Sequence, residues 1–321
     1  MNRFRTILSR ARDGATAFVS APASARPVAC LRIGLSLVLL AQALAIAGNV
    51  LAFYGPHGIV QWLVIDWAIG PGVPKLSWVA DALVPRGATV NGCVQGMFLV
   101  YVGSLAALLV GWRTRWAAAV AWVTHLALKT TGYASTYGVD LFADIGLFYC
   151  VWMPVGHSAS LDLAAGRVSG APSWAARLGL RVLQLHLCMV YLDSGIEKAL
   201  GAQWWNGEAI WRAVTEPAYR TVELGWLASV PWVAQLLCWG TLLVEAGYAF
   251  FVWPRRTRKL WALNTMAMHL GIGLFMGLVS FAGVMIVLTG SAFLVSAEPR
   301  AQEAAPDTAA PASAAPAVAA A

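Results

Sequence analysis

The sequence predicts an all-α fold, a polytopic transmembrane helical bundle of about eight spans with interfacial helices on its outer side. Three observations carry this expectation. Of the 321 residues 59% are hydrophobic and only 12% charged, and the mean hydropathy is +0.66; soluble domains carry about a quarter charged residues. The apolar residues come in runs of about twenty, the length a helix needs to cross the hydrocarbon of a bilayer. The basic residues fall in short clusters between these runs, such as Arg113/Arg115 and Arg255, Arg256, Arg258, Lys259. The net charge of +7 therefore speaks for membrane topology. Nucleic acid as a partner is excluded, because no basic face with interleaved aromatics is present.

Taken in order, residues 1–27 form a basic arm without the continuous apolar core of a signal peptide. A cytoplasmic arm is expected there, with a short helix lying on anionic lipid. The membrane domain runs over 28–296, with spans at about 29–51, 93–112, 116–132, 139–156, 179–199 and 231–253. Leu260 to Val295 carries no charge, and as one helix it would be about 54 Å long. A hairpin turning near Gly277 fits a bilayer better and makes spans seven and eight. Residues 297–321 are Ala/Pro-rich without a period, and disorder is expected for them. The five cysteines are scattered singly with no CxxC, so they read as small buried hydrophobes.

Orientation follows from the excess of Lys and Arg on the cytoplasmic side of membrane proteins. With the N-terminus inside, the inner segments hold Arg3, Arg5, Arg10, Arg12, Arg26, Arg113, Arg115, Arg167, Arg177, Arg181, Arg255, Arg256, Arg258, Lys259 and Arg300. The outer ones hold only Lys75, Arg86, Lys129, Lys198, Arg212 and Arg220, and Arg32 falls within span one. The expected location is a bacterial inner membrane with a cytoplasmic N-terminus. Two outer segments, Tyr54 to Gly92 and Gly201 to Pro231, are long and rich in tryptophan, a residue of the water–lipid boundary.

Ionisable side chains inside spans are costly and call for a reason. Span four opens with Asp140 and Asp144, and span three holds His125. Span five is the richest: Gln184, Tyr191 and Lys198 recur every seven residues, and His186, Asp193 and Glu197 make a neighbouring stripe. Span six adds Glu245, and span seven adds Asn264 and His269. Pairing between helices accounts for such groups at about 0.6 kcal/mol per hydrogen bond. The alternative is a site at the outer mouth of span five. There Lys198 between Asp193 and Glu197 is a candidate acid–base group, with Glu245 and His269 in support.

The string YLDSGIEKALGAQWWNGEAIW resembles the signature of the horizontally transferred transmembrane (HTTM) family, which includes the membrane domain of vitamin K-dependent gamma-carboxylase. The matching positions are Tyr191, Gly195, Ile196, Lys198, Trp204 or Trp205, and Gly207. LRIGLSLVLLAQAL with FYGPHGIV, the tripeptide Ser160 to Asp162, LLVEAGYAF with Glu245 and HLGIGLFMG with His269 are similar to other elements of that family, in the same order. The resemblance implies that Lys198 acts as a base on a lipid-soluble quinol; Tyr191, His186, Trp204, Trp205, Glu245 and His269 are the candidate substrate-binding residues. A quinone is the cofactor it implies. Two departures argue against full carboxylase activity: KTTGYASTYG lacks the second catalytic histidine expected there, and no large lumenal domain follows the last span.

Three function classes follow. One is a membrane enzyme acting on a quinol or an exported peptide at the outer face. Another is a non-catalytic maturation or accessory protein for an exported peptide or a membrane-associated oxidoreductase, as small bacterial relatives of the family suggest. The last is a transporter, for which matching broken helices in two halves are expected and no internal repeat is found.

Overall fold

In the computed structural model, which describes residues 2–219 and 221–299, helix accounts for 76% of the described residues and no strand forms among them. In chain order the helices are α1 (Asn2–Ser20), α2 (Arg26–Ile46), α3 (Val50–Tyr54), α4 (Trp62–Ala68), α5 (Leu76–Leu83), α6 (Val90–Val110), α7 (Thr114–Thr131), α8 (Gly138–Trp152), α9 (Leu161–Ala164), α10 (Trp174–Leu200), α11 (Ala202–Trp205), α12 (Glu208–Thr215), α13 (Pro231–Phe251), α14 (Arg255–Met276) and α15 (Val279–Phe293). Four helices are long and apolar enough to cross a bilayer: α2 continued into α3, α6, α10 and α13. Helices α7, α8, α14 and α15 cover the remaining apolar runs and pack into the same bundle. Arg220, Arg300, the side chains of Arg3 and Arg5, and the Ala/Pro tail from 300 onward lie outside the described residues.

Helix α2 runs between α6, α8 and α15, and its Leu31, Leu35 and Leu39 are fully buried. Around it the bundle shows aliphatic side chains outward, including Leu44, Leu99, Met189, Leu243 and Val279. An apolar exterior of this kind is compatible with lipid as the solvent. The apolar run from Leu260 breaks at Gly277, whose φ of +70° ends α14 in the left-handed conformation glycine adopts without penalty. Helix α15 starts two residues later.

The starts of α2, α7, α10 and α14 meet the ends of α6, α8, α13 and α15 at one end of the bundle, here called the arginine end. Helix α1 is fastened there: Arg177 Nε donates to Ala21 O at 2.9 Å, Arg181 Nε to Phe18 O at 3.0 Å, and the Arg181 guanidinium stacks 3.9 Å from the Phe18 ring centroid. Short helices α4, α5, α11 and α12 gather at the opposite end, within the two long aromatic segments. Tryptophans mark both ends, Trp112, Trp116, Trp152 and Trp174 at the first and Trp62, Trp67, Trp205 and Trp226 at the second. This two-sided distribution suits an aromatic belt.

Two buried charges lock the arginine end. Arg32, fully buried on α2, donates through Nη1 to Leu108 O at 2.8 Å and Leu109 O at 3.0 Å, and through Nη2 to Ala159 O. Asp162, in the first turn of α9, is structural: its carboxylate accepts from Arg113 N, Thr114 N, Thr114 Oγ1 and Arg167 Nη1 at 2.7–3.0 Å. It thereby caps the N-terminus of α7 from a distant loop, where negative charge is favoured.

Burial pushes the Asp162 carboxyl up, but these hydrogen bonds outweigh burial and hold it down at about 2 against an ordinary 3.8. A depressed carboxylate stabilises the fold above its unfolded value and ceases to do so as the pH falls through the folded one. We expect Asp162→Ala to cost about 2 kcal/mol near neutrality. The gap between the two proteins in thermal denaturation should close as the pH falls from 3.8 toward about 2. A gap that persists in acid would refute the assignment.

Candidate functional site

Helices α10 and α13 cross at Gly195, where an added Cβ would lie 2.7 Å from the backbone nitrogen of Ala246. Small residues permit such close approach between membrane helices. The crossing lies between Tyr191 and Lys198 on one strip of α10, and beside Glu245 and Tyr248 on α13. Sequence spacing on α10 thus sets the strip, and the Gly195–Ala246 contact decides what it faces.

Lys198 Nζ lies 2.8 Å from Glu245 Oε2. The carboxylate side chain is 7% exposed and the lysine 24%, so the pair is partly covered, with the acid on the dry side. Lys198 also donates to Ser194 Oγ one turn back, and its ammonium stands 5.4 Å from the ring centroid of Trp204. An indole face at this distance attracts a cation. Deeper in the bundle the Tyr191 hydroxyl meets His269 Nε2 at 2.8 Å and Thr289 Oγ1 at 3.5 Å. The Tyr191 and Tyr248 rings are 4.3 Å apart, and Phe281 closes the other side of His269 with an edge contact at 5.4 Å. His269 Nδ1 is buried with no hydrogen-bond partner among the described residues. The chain therefore offers a partly covered carboxylate–ammonium pair and a buried phenol–imidazole pair, both suited to moving protons.

Not every expected residue joins this cluster. Asp193 and Glu197, expected to flank Lys198, are exposed and make no ion pair with it. Helical geometry explains the correction: positions one and five before Lys198 are turned about 100° and 140° away from it. Its acidic partner comes from another helix, as Glu245. His186 is also elsewhere, with Nδ1 2.7 Å from the Tyr149 hydroxyl of α8. Trp205 is a tether: its Nε1 donates to Ala199 O at 2.7 Å, and its carbonyl accepts from Gln235 and Trp239. Gln184 donates to Ala292 O at 2.6 Å and ties α10 to α15, while Asn264 is exposed on α14.

Among the described residues no group of three or more His, Cys, Asp or Glu could hold a metal ion. His125, Asp140 and Asp144 gather around Lys129, away from Lys198. Sequence reading noted the first three as polar intrusions and placed the lysine in an outer segment, without joining them. Comparison with protein-family models, curated proteins and solved structures found no match.

Proposed function

We propose that this chain is an eight-span protein of a bacterial inner membrane with its arginine end in the cytoplasm. In this reading Lys198 and Glu245 form an acid–base site at the outer mouth, acting on a lipid-soluble quinol or an exported peptide. The observation that carries it is the buried Glu245 held 2.8 Å from a half-buried lysine beneath an indole ring. Charged groups are kept inside membrane bundles chiefly where they pair and where they act. A proton leaving a quinol oxygen joins this pair and passes between carboxylate and amine, while the positive charge balances the quinolate left behind. The resemblance of the Tyr191–Gly207 segment to the HTTM signature supports a base at Lys198 and a quinone as cofactor. The clustering of arginines at one end supports the orientation.

The test is complementation of a strain lacking the native gene, with variants compared at equal membrane insertion. Lys198→Ala and Glu245→Gln are expected to lower activity about 100-fold or more, the usual worth of general acid–base catalysis. Asp193→Asn and Glu197→Gln, outside the cluster, should leave it near wild type. Full complementation by Lys198→Ala ends the proposal.

One observation favours a second reading, a non-catalytic accessory protein for an exported peptide or an oxidoreductase. The segments opposite the arginine end expose large rings, with Trp67 at 87% and Trp226 at 56%, as docking surfaces do. That reading predicts tolerance at Lys198 and sensitivity at Trp204, Trp205 or Trp211.

A further inference from the structure

A second set of ionisable side chains lies among α6, α7 and α8, with Tyr101, His125 and Asp144 buried and Lys129 and Asp140 partly exposed, and the Lys198 site makes no use of it. The Tyr101 hydroxyl of α6 lies 3.1 Å from His125 Nδ1. The other imidazole nitrogen, Nε2, faces the Asp140 carbonyl at 3.4 Å and Asp144 Oδ1 at 3.7 Å. Lys129, one turn after His125, is ion-paired with Asp144 Oδ2. Asp140, one turn before Asp144, accepts from the Tyr137 backbone at 3.0 Å. Tyr101 and His125 are 6% exposed and Asp144 7%, so lipid and protein surround the group rather than bulk water.

Beside it is a cavity of about 30 Å³, lined by Tyr54, Tyr101, His125, Lys129 and Asp140 together with polar groups of the 132–136 turn. A polar cavity needs only about 10–15 Å³ to hold a water molecule. The turn at 132–136 lies at the end of the bundle opposite the arginines, so the cavity is on the route from that side to the imidazole.

The charges do not balance. Two carboxylates, Asp140 and Asp144, face one ammonium, Lys129. Among the described residues no neighbouring element supplies a second cationic side chain, and α8 offers Asp140 only the partial positive charge of its N-terminus. Helix α6 brings Tyr101, the α2–α3 stretch brings Tyr54, and the start of α8 brings Tyr137. The α4–α5 segment packed on α7 carries Asp66 and Lys75, which offset each other at 3.1 Å, and Asp81, which is exposed and adds no positive charge. Helix α15 carries no ionisable side chain over its length. An uncompensated negative charge inside a membrane bundle is expensive, and a proton is the smallest remedy.

We propose that this cluster binds one exchangeable proton, received through the cavity from water on the side opposite the arginine end and shared among Asp140, His125 and Asp144. A hydronium ion gives up the proton and leaves as water; the reverse step releases it. The site is independent of the Lys198–Glu245 reading, because it needs neither a quinol nor catalysis there. Static ion pairing between helices, the plainer account of the same residues, holds no proton to exchange.

The test is an infrared pH titration of the full-length protein in phosphatidylcholine nanodiscs. The wild type should show a protonated-carboxyl band that persists above about pH 6, where exposed carboxyls are ionised, and disappears at higher pH. Asp140→Asn and Asp144→Asn should each abolish it, since either removes the surplus charge. Lys129→Gln should strengthen it and move its midpoint to higher pH, which places the titrating carboxyl beside Lys129. Glu245→Gln should leave it unchanged. A wild type whose carboxyl bands are all gone above about pH 6, or a band there that survives both Asp→Asn changes, overturns the proposal. So does a band that sodium ions displace at constant pH, which assigns the site to a metal cation. Should the aspartate variants fail to fold, the direction of the Lys129→Gln shift decides alone.

Discussion

Replacing Arg32 by methionine is expected to lower the stability of the purified protein by about 3 kcal/mol or more, with Arg32→Lys recovering only part of the loss. The guanidinium is fully buried and binds three backbone carbonyls, those of Leu108, Leu109 and Ala159. Two of these belong to the last turn of α6, whose carbonyls carry the negative end of the helix dipole; Leu108 O also accepts from Gly111 N at 3.1 Å. Away from water such acceptors find no substitute, and each left unpaired costs about 1–3 kcal/mol. Methionine fills much of the volume and satisfies none of them. Lysine restores charge, but from a single nitrogen that does not span both Leu108 and Ala159 as the two-pronged guanidinium does. Gly111 shows how tightly this corner is built. Its φ is +71°, and an added Cβ would lie 2.4 Å from Arg32 Nη1 and 2.3 Å from Ser160 Cβ. Denaturation of wild type, Arg32→Met and Arg32→Lys in one detergent gives the order directly, and a methionine variant as stable as wild type removes the cap from the account.

Arg32 also marks the limit of what the sequence discloses. It stood out as a charge within an apolar run, yet its partners are main-chain oxygens, which any residues supply and no motif records. The helices themselves were legible, because every backbone group in lipid must be satisfied within its own segment and so run length alone sets them. Even the break at Gly277 could be placed, from the excess length of the run after Leu260 and the one residue type that turns cheaply. Pairings between helices were not legible. Spacing on α10 suggested Asp193 and Glu197 as neighbours of Lys198, whereas the partner, Glu245, lies on α13 and is selected by a backbone crossing. His125, Lys129 and Asp144 likewise became one cluster only once α7 and α8 were seen side by side.

That crossing supports the second strong expectation. Gly195→Leu should destabilise the protein by about 1–3 kcal/mol, the usual cost of overpacking, and should abolish function as thoroughly as Lys198→Ala. A Cβ at this position meets Ala246 N at 2.7 Å, Ala246 Cα at 3.0 Å and Ala246 Cβ at 3.2 Å. The two shortest contacts are to backbone, which no rotamer change relieves, so α10 and α13 must separate. Lys198 Nζ and Glu245 Oε2, 2.8 Å apart across the same interface, then lose each other, although neither has been altered. Compensation sharpens the argument. In a Gly195→Ala background, Ala246→Gly removes the 3.2 Å contact but leaves the two shorter ones, so rescue should be partial in both stability and activity. Complete rescue would place the strain in side-chain packing instead of helix spacing. A Gly195→Leu protein with unchanged Tm and activity would mean that the lysine and the glutamate do not depend on this crossing to meet.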